Sequence, residues 1–358
     1  MRKLATIRQI ADILPIEGAD AIVLVKIDGW QCVAKKEEFT VGDLCVYYEI
    51  DSYLPLRPEY EHIRSRTFKK MGEQEGLRIK TIKLRGQISQ GLALPISETL
   101  KIEWSHTFFN FEGARDLQVG DDVTEILGVQ KYEPPVPTQL AGQVSGNFPG
   151  FIKKTDQERC QNLGRDIFID NKDSSYEVTM KMDGTSFTAY YNNTVEGVCG
   201  RNWELKVDEN EGNSLVRMYV DSGLQAALRE FGGNFAVQGE LMGPGIQKNR
   251  EGFASHKLFV FDIYDIDAGE YVPPLTRRSI LNELYNLGLN KEMVQHVPII
   301  GTYLTMDKLG INSVAELLVY AEGPSLVHPI REGLVFKRTD GKFSFKAISN
   351  KYLLKEED

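Results

Sequence analysis

At 358 residues, with 42% hydrophobic and 26% charged side chains, the chain is long enough for two cored domains and too apolar to be disordered throughout. Its net charge of −9 is not that of a protein that coats nucleic acid by bulk positive charge, so a polyanionic partner would have to meet local basic surface. The amino terminus lacks a signal-like apolar core, no run of 18 apolar residues occurs, and the four cysteines (32, 45, 160, 199) form no Cys-x-x-Cys pair, which argues against export, a membrane span, a zinc site and a disulfide framework, and leads us to expect an intracellular, reducing location.

The first part reads as short strands. Ala21–Ile27 and Trp30–Ala34 flank Asp28-Gly29, a tight-hairpin signature. Asp43–Ile50, Ile79–Leu84 and Leu92–Ile96 continue the pattern, and about five short strands in the first 125 or so residues predict a small OB-like barrel over 1–127. Between Arg64 and Arg85 lie eight Lys/Arg against Glu73 and Glu75, a basic stretch that favours nucleic acid as this module's partner. Residues 128–150, with Pro134, Pro135, Pro137 and Pro149 and with Gly142, Gly146 and Gly150, read as a linker. A mixed domain over 151–358 follows. Strands are predicted at Ser175–Lys181, Ser186–Tyr191, Phe235–Leu241, Lys257–Tyr264, 333–338 and 343–348. Helices are predicted at Asn213–Phe231, which Gly223 threatens to interrupt, at Arg277–Leu287 and at Val314–Ala321. The fold class is therefore α+β with antiparallel sheets flanked by helices. The five histidines (62, 106, 256, 296, 328) lack ligand spacing and read as surface or packing residues.

Four islands carry chemistry: Lys181-Met182-Asp183-Gly184, Gly239-Glu240-Leu241, Phe259-Val260-Phe261-Asp262, and Glu332-Gly333-Leu334-Val335-Phe336-Lys337 with Lys346 beyond. Lysine attacks phosphorus only as a free amine, and near pH 7.4 deprotonating an ordinary lysine costs about 4 kcal/mol. A nearby divalent cation, or other cations in a low-dielectric pocket, must therefore depress the pKa of Lys181. Asp183, Glu240 and Glu332 are the carboxylates expected around such a cation, Mg²⁺ or Mn²⁺, directly or through its waters. Glu240 stands in an otherwise apolar strand, where an unpartnered carboxylate is costly. Gly184 lets backbone approach closely, Lys337 and Lys346 are cations for phosphate, and Phe261 is an aromatic face for a base.

In this order and spacing the islands resemble the covalent nucleotidyltransferase superfamily of ATP-dependent ligases and capping enzymes, and within it the RNA ligase group typified by the Naegleria and Deinococcus enzymes. Met1-Arg2-Lys3-Leu4-Ala5, Tyr47-Tyr48-Glu49-Ile50-Asp51, Leu84-Arg85-Gly86-Gln87-Ile88-Ser89-Gln90-Gly91-Leu92 and Phe148–Asp156 extend the likeness over nearly the whole chain. The resemblance implies ATP as cofactor with Mg²⁺ or Mn²⁺, and RNA, as a nicked duplex, as the partner of a monomeric enzyme. It implies that Lys181 becomes adenylylated, that Lys346 meets the α-phosphate, that Phe261 stacks on adenine, and that Arg201 contacts ribose or the nucleic-acid end. It also brings Phe151, Lys153, Lys154 and Arg159 near nucleotide. Two positions depart from the wider pattern. Met180 stands where relatives often place Glu, and Ile348 follows Lys346 where many carry a second lysine, leaving Lys337, Lys342 and Lys351 as candidates for that charge. A DNA ligase, a capping guanylyltransferase and a non-catalytic RNA-binding relative stay open. Nothing like a large carboxy-terminal domain follows Lys346, which counts against the first two.

Overall fold

The computed structural model describes residues 3–100, 107–110, 113–134, 142–208 and 212–356. Met1, Arg2, His106, Pro135 and Pro137 lie outside them. The chain divides into two compact units, Met1–Pro137 with Leu353–Asp358, and Thr138–Tyr352. The segment read as a linker supplies a short strand to each, Gln130–Lys131 to the first and Val144–Asn147 to the second.

In the first unit, Ile22–Ile27 and Trp30–Lys35 form the expected hairpin, with Ile27 opposite Trp30 and Asp28 at φ 51, a left-handed conformation that Asp tolerates. Asp12–Pro15 completes this sheet. Ala5–Gln9, Leu44–Tyr48 and Leu92–Pro95 make a second sheet; Gln130–Lys131, Ser52–Pro55, Gln74–Arg78 and Phe68–Met71 make a third. Alternation sends Val25, Ile27, Trp30, Cys32 and Ala34 into one core, and Ala5, Ile7, Val46, Tyr48, Leu54 and Leu94 into another. The expected strand Ile79–Leu84 shortens to Ile82–Leu84. Pro58–Ile63, the single turn Arg64–Thr67 and the hairpin Phe68–Arg78 were not foreseen, being too short to show a period.

The second unit is built on two sheets. One runs Val144–Asn147, Trp203–Leu205, Val195–Cys199, Thr185–Asn192, Phe235–Met242, Lys257–Asp265 and Glu270–Tyr271, with Val294–His296 added in parallel beside Lys257–Asp265. The other runs Glu158–Arg159, Ser344–Ile348, Gly333–Arg338, Tyr176–Lys181 and Ile299–Leu304. Each has one apolar face. Phe187, Ala189, Val237 and Leu241 of the first sheet pack on Ser214–Asp221, Leu224–Phe231 and Pro274–Asn286. Tyr176, Val178, Leu334, Phe336, Phe345 and Ala347 of the second pack on Val314–Tyr320. The helix expected over Asn213–Phe231 is two helices. Gly223 separates them at φ 77, and a Cβ there would come within 2.9 Å of the Gly288 carbonyl, so the break is fixed by packing as well as by backbone conformation.

All four cysteines are free and buried. Among the described residues no helix is long and apolar enough to cross a membrane.

Candidate active site

The period of two that makes one sheet face apolar puts every second residue on the other face. On Tyr176–Lys181 these are Glu177, Thr179 and Lys181; on Gly333–Arg338, Val335 and Lys337; on Ser344–Ile348, Lys346. Register aligns them, with Thr179 opposite Val335, Val335 opposite Lys346, and Glu177 opposite Lys337. On the neighbouring sheet Ser186 stands opposite Glu240. Thr179, Lys181, Ser186, Glu240, Val335, Lys337 and Lys346 line a cavity of about 260 Å³, together with Gly184, Arg201, Phe261, Asp156, Gln157, Gln247, Met180 and Val297.

Lys181 ends its strand and sits 2.7 Å from Glu332 Oε1. The pairing of Lys181 with Gly333 across the ladder brings Glu332 there. Burial pulls the Lys181 amine down, but Glu332, Glu240 and Asp183 outweigh it and hold the ammonium above its ordinary range. The protein's own carboxylates thus favour the charged amine, and the expected depression falls to a bound cation. Glu240 shows the opposite strain. Burial pushes its carboxyl up to about 7, against the pull of Lys181 and with a further push from Glu332. Glu240 Oε1 accepts from the Gly184 backbone N–H at 3.1 Å. A Cβ on Gly184 would lie 2.3 Å from the Leu241 carbonyl, so the chain after Asp183 passes too close to that strand for any side chain. Asp183 is not in the lining; it lies 3.5 Å from Arg250 Nε and is hydrogen-bonded to Tyr352. Among the described residues no three His, Cys, Asp or Glu side chains are gathered into a set that could hold a metal ion. Asp183, Glu240 and Glu332 instead share the charge of Lys181 while each keeps a protein partner.

Phe261 shares the face of Phe259, which stands opposite Glu240, and sits at a β-bulge. Gln238 pairs with Asp262 and Gly239 with Val260, so Phe261 is the extra residue; it lines the cavity. Lys337 closes the bulge. Its Nζ donates to the Phe261 carbonyl at 2.5 Å and pairs with Asp262 at 2.6 Å. Gln157 Nε2 also donates to Asp262, at 3.3 Å. Behind them Arg277, fully buried, bonds Glu177, lies 3.5 Å from Asp262, and donates through Nε to His296 Nε2 at 3.1 Å. His296 is thus a packing residue within a buried ion cluster.

Lys346 pairs with Asp156 at 3.3 Å. Burial brings its ammonium down to about 8, with Asp156 opposing and Lys181 and Arg159 assisting. Burial likewise brings Lys337 down to about 8, opposed by Asp262 and assisted by Arg277. Of the candidates for the missing second lysine, only Lys337 lines the cavity; Lys342 is exposed and Lys351 pairs with Glu322 at 2.7 Å. Ile348 is buried. Arg201 is on the cavity's rim. Lys154 is not in the lining; its Nζ reaches Asn202 Oδ1 at 3.4 Å and lies over the Phe148 ring. Phe151 packs edge-on against Tyr190, Lys153 lies over Tyr271, and Arg159 is in register with Lys346. Sequence reasoning missed Asp156, Gln157 and Gln247, which lie in irregular segments where no period marks them.

Comparison with known proteins agrees with this geometry. A family model described as an OB-fold domain matches residues 4–96, and one described as RNA ligase matches residues 174–352. Among solved structures, a point variant of Naegleria gruberi RNA ligase with AMP and Mn is 44% identical, with each chain covered over 100% and a TM-score of 0.83. A second variant with ATP and Mn is 44% identical, covering 99% of this chain and 100% of that one, with a TM-score of 0.82. The same enzyme with PPi gives 44%, 100% of both chains and 0.82. No match was found among curated proteins.

Proposed function

The chain belongs to the RNA ligase family, with an OB-fold domain ahead of the ligase domain, and from that premise we propose that it is an ATP-dependent enzyme that joins RNA 3′-hydroxyl and 5′-phosphate ends through an adenylate on Lys181. The observation that carries this reading is the convergence of Lys181, Glu240, Phe261, Lys337 and Lys346, drawn from separate sequence islands, on one cavity. The Lys181 amine attacks the α-phosphorus of ATP; an N–P bond forms, the bond to pyrophosphate breaks, and the amine loses its proton. An oxygen of the RNA 5′-phosphate then takes the AMP, and Lys181 recovers its proton. Finally the 3′-hydroxyl attacks that phosphate and AMP leaves. Lys346 and Lys337 supply positive charge along the phosphate path, Phe261 and Val297 provide apolar surface for the base, and Arg201 awaits ribose or the strand end. Because Asp183, Glu240 and Glu332 do not form a metal set by themselves, Mg²⁺ or Mn²⁺ would be held largely through nucleotide phosphate and water, with these carboxylates as the hard oxygen donors nearby. When bound, such an ion offsets the carboxylates that keep Lys181 protonated. We take 1–127 as the module that grips RNA, 128–150 as its connection and 151–358 as the catalytic part, acting as a monomer on nicked duplex. The free cysteines suit a reducing compartment.

Incubation with α-labelled ATP or GTP, followed by nicks carrying RNA or DNA on either side, tests this. ATP is expected to label Lys181, and nicks with RNA at the 3′-hydroxyl are expected to be sealed. Preferential labelling by GTP would point to a capping enzyme, equal sealing of DNA nicks to a DNA ligase, and no labelling to a non-catalytic relative.

The two limbs of a pH profile follow from the site. Adenylylation rises with pH while Lys181 must shed its proton. Lys337 and Lys346 are cations below about 8 and lose charge above it, so the second-order rate with ATP is expected to turn down beyond pH ~8. Lys346→Arg, whose guanidinium stays charged, should displace that downturn to higher pH. A profile that keeps climbing to pH 10 would contradict the assignment of these lysines.

A further inference from the structure

The first unit holds a second cavity, of about 400 Å³, that the ligase chemistry does not use. Four separate segments converge on it: Val33–Lys35 of the hairpin, residues 62–67, the strand Ile82–Leu84 with Ile79 before it, and residues 89–94. Its floor reaches the cores, since Ile79, Ala93 and Leu94 are buried. Its rim carries Lys35, Arg66 and Lys80, all exposed, and among the described residues none of these side chains has an ion-pair or hydrogen-bond partner. The one acid in the lining, Glu38, already accepts the Lys35 backbone N–H at 2.9 Å. An apolar floor beneath unpaired cations fits a ligand with a flat apolar body and flanking negative charge. The volume lies within the range of about 300–1,000 Å³ for small-ligand sites. A base within a duplex has both faces stacked and its edge paired, and cannot enter such a hole. The one ring in the lining is the exposed His62 imidazole, and stacking on it would not single out one base.

We propose that this cavity takes one unpaired nucleotide of an RNA strand, with the base on the apolar floor and the neighbouring phosphates against Lys35, Arg66 and Lys80. The choice of RNA rests on the ligase reading above. The site adds a hold on a frayed or single-stranded end that is separate from the nucleotide cavity of Lys181.

The test uses the full chain and a short fluorescent single-stranded oligoribonucleotide, with a blunt duplex of the same sequence as comparison. The triple variant Lys35→Glu, Arg66→Glu, Lys80→Glu alters only exposed side chains. It should weaken single-strand binding roughly tenfold or more at low salt, and flatten the salt dependence by about one unit for each cation removed. Ser65→Trp, at an exposed rim position, should weaken single-strand binding by plugging the mouth, and should abolish photo-crosslinking of a 4-thiouridine to the cavity lining. Labelling of Lys181 by α-labelled ATP should be unchanged in both. Unaltered single-strand binding in both variants would overturn the proposal, as would equal losses for duplex and single strand. If instead wild-type Lys181 failed to label while the cavity variants still lost RNA binding, the ligase reading would fail and this site would stand.

Discussion

Lys181→Ala is expected to reduce transfer of label from α-labelled ATP to the protein by at least about 10⁴-fold, to background, because it removes the nucleophile while Lys337 and Lys346 serve as cations for phosphate. The structure sharpens this expectation. With Glu332 at 2.7 Å and Glu240 and Asp183 nearby, Lys181 starts as a tightly held ammonium. The barrier to freeing its amine therefore exceeds the roughly 4 kcal/mol of an ordinary lysine at neutral pH, and the same carboxylates must be offset before attack. Lys181→Arg should be equally dead, since a guanidinium keeps both the charge and the Glu332 pair but never becomes a neutral nucleophile. That contrast separates loss of nucleophile from loss of ion pair. Sealing of a strand supplied already adenylylated should persist in part, because the final attack by the 3′-hydroxyl needs Lys346 and Lys337 but not the Lys181 amine. Gel detection of labelled protein and of ligated product reads both. Persistent labelling of Lys181→Ala at a substantial fraction of wild type would remove the lysine from its role.

Much of this site was legible because strands expose their chemistry by parity. Glu177, Thr179 and Lys181 alternate with Tyr176, Val178 and Met180, but that Lys337 and Lys346 share a face needed the register of 333–338 against 344–348, since their own parities differ. The strand limits at 333–338 follow directly from that pattern. Phe261 was legible as an aromatic on a buried strand, but the bulge beside it was not. The period of two gives it the face of Phe259, with which it packs beside Met180, Met182 and Val297, while the bulge against Gln238–Gly239 turns Ile263 to the opposite core. A bulge depends on which strand lies alongside, and no local pattern announces it. Asp156, Gln157 and Gln247 were hidden for a related reason: irregular backbone brings them to the site through contacts distant in sequence. The need for an offsetting cation at Lys181 could be read from the reaction, but the combined pull of Glu332, Glu240 and Asp183 could not, because they reach the amine from separate strands and loops.

Arg277→Met is expected to destabilise the Thr138–Tyr352 unit by about 3–5 kcal/mol, the typical cost of removing one partner from a buried ion pair. This corresponds to a fall in melting temperature of roughly 6–20 °C, using about 2–4 °C per kcal/mol for a unit of this size. The Arg277 side chain is 0% exposed, against 2% for Glu177 and 4% for Asp262, so removing it strands two carboxylates that water cannot reach. Lys337 and Arg278, the latter 3.5 Å from Glu177, would be left to balance them. Met retains much of the volume, so the loss reports charge rather than a cavity. His296 provides an internal check. It is neutral, with Nδ1–H donating to the Val297 carbonyl and Nε2 accepting from Arg277. Burial, then Arg277 and Lys337, hold its pKa down to about 3. A histidine depressed in the folded state costs stability as pH falls through about 6.5, because only the unfolded chain then takes up the proton. Removing Arg277 relieves that depression and leaves His296 beside carboxylates in need of a cation. The gap in melting temperature between wild type and Arg277→Met should therefore narrow from pH 8 to pH 5.5, and Glu177→Gln added to Arg277→Met should recover part of the loss. A gap that is constant with pH and untouched by Glu177→Gln would mean that Arg277 contributes packing alone, and that the cluster behind Lys337 is not an electrostatic unit.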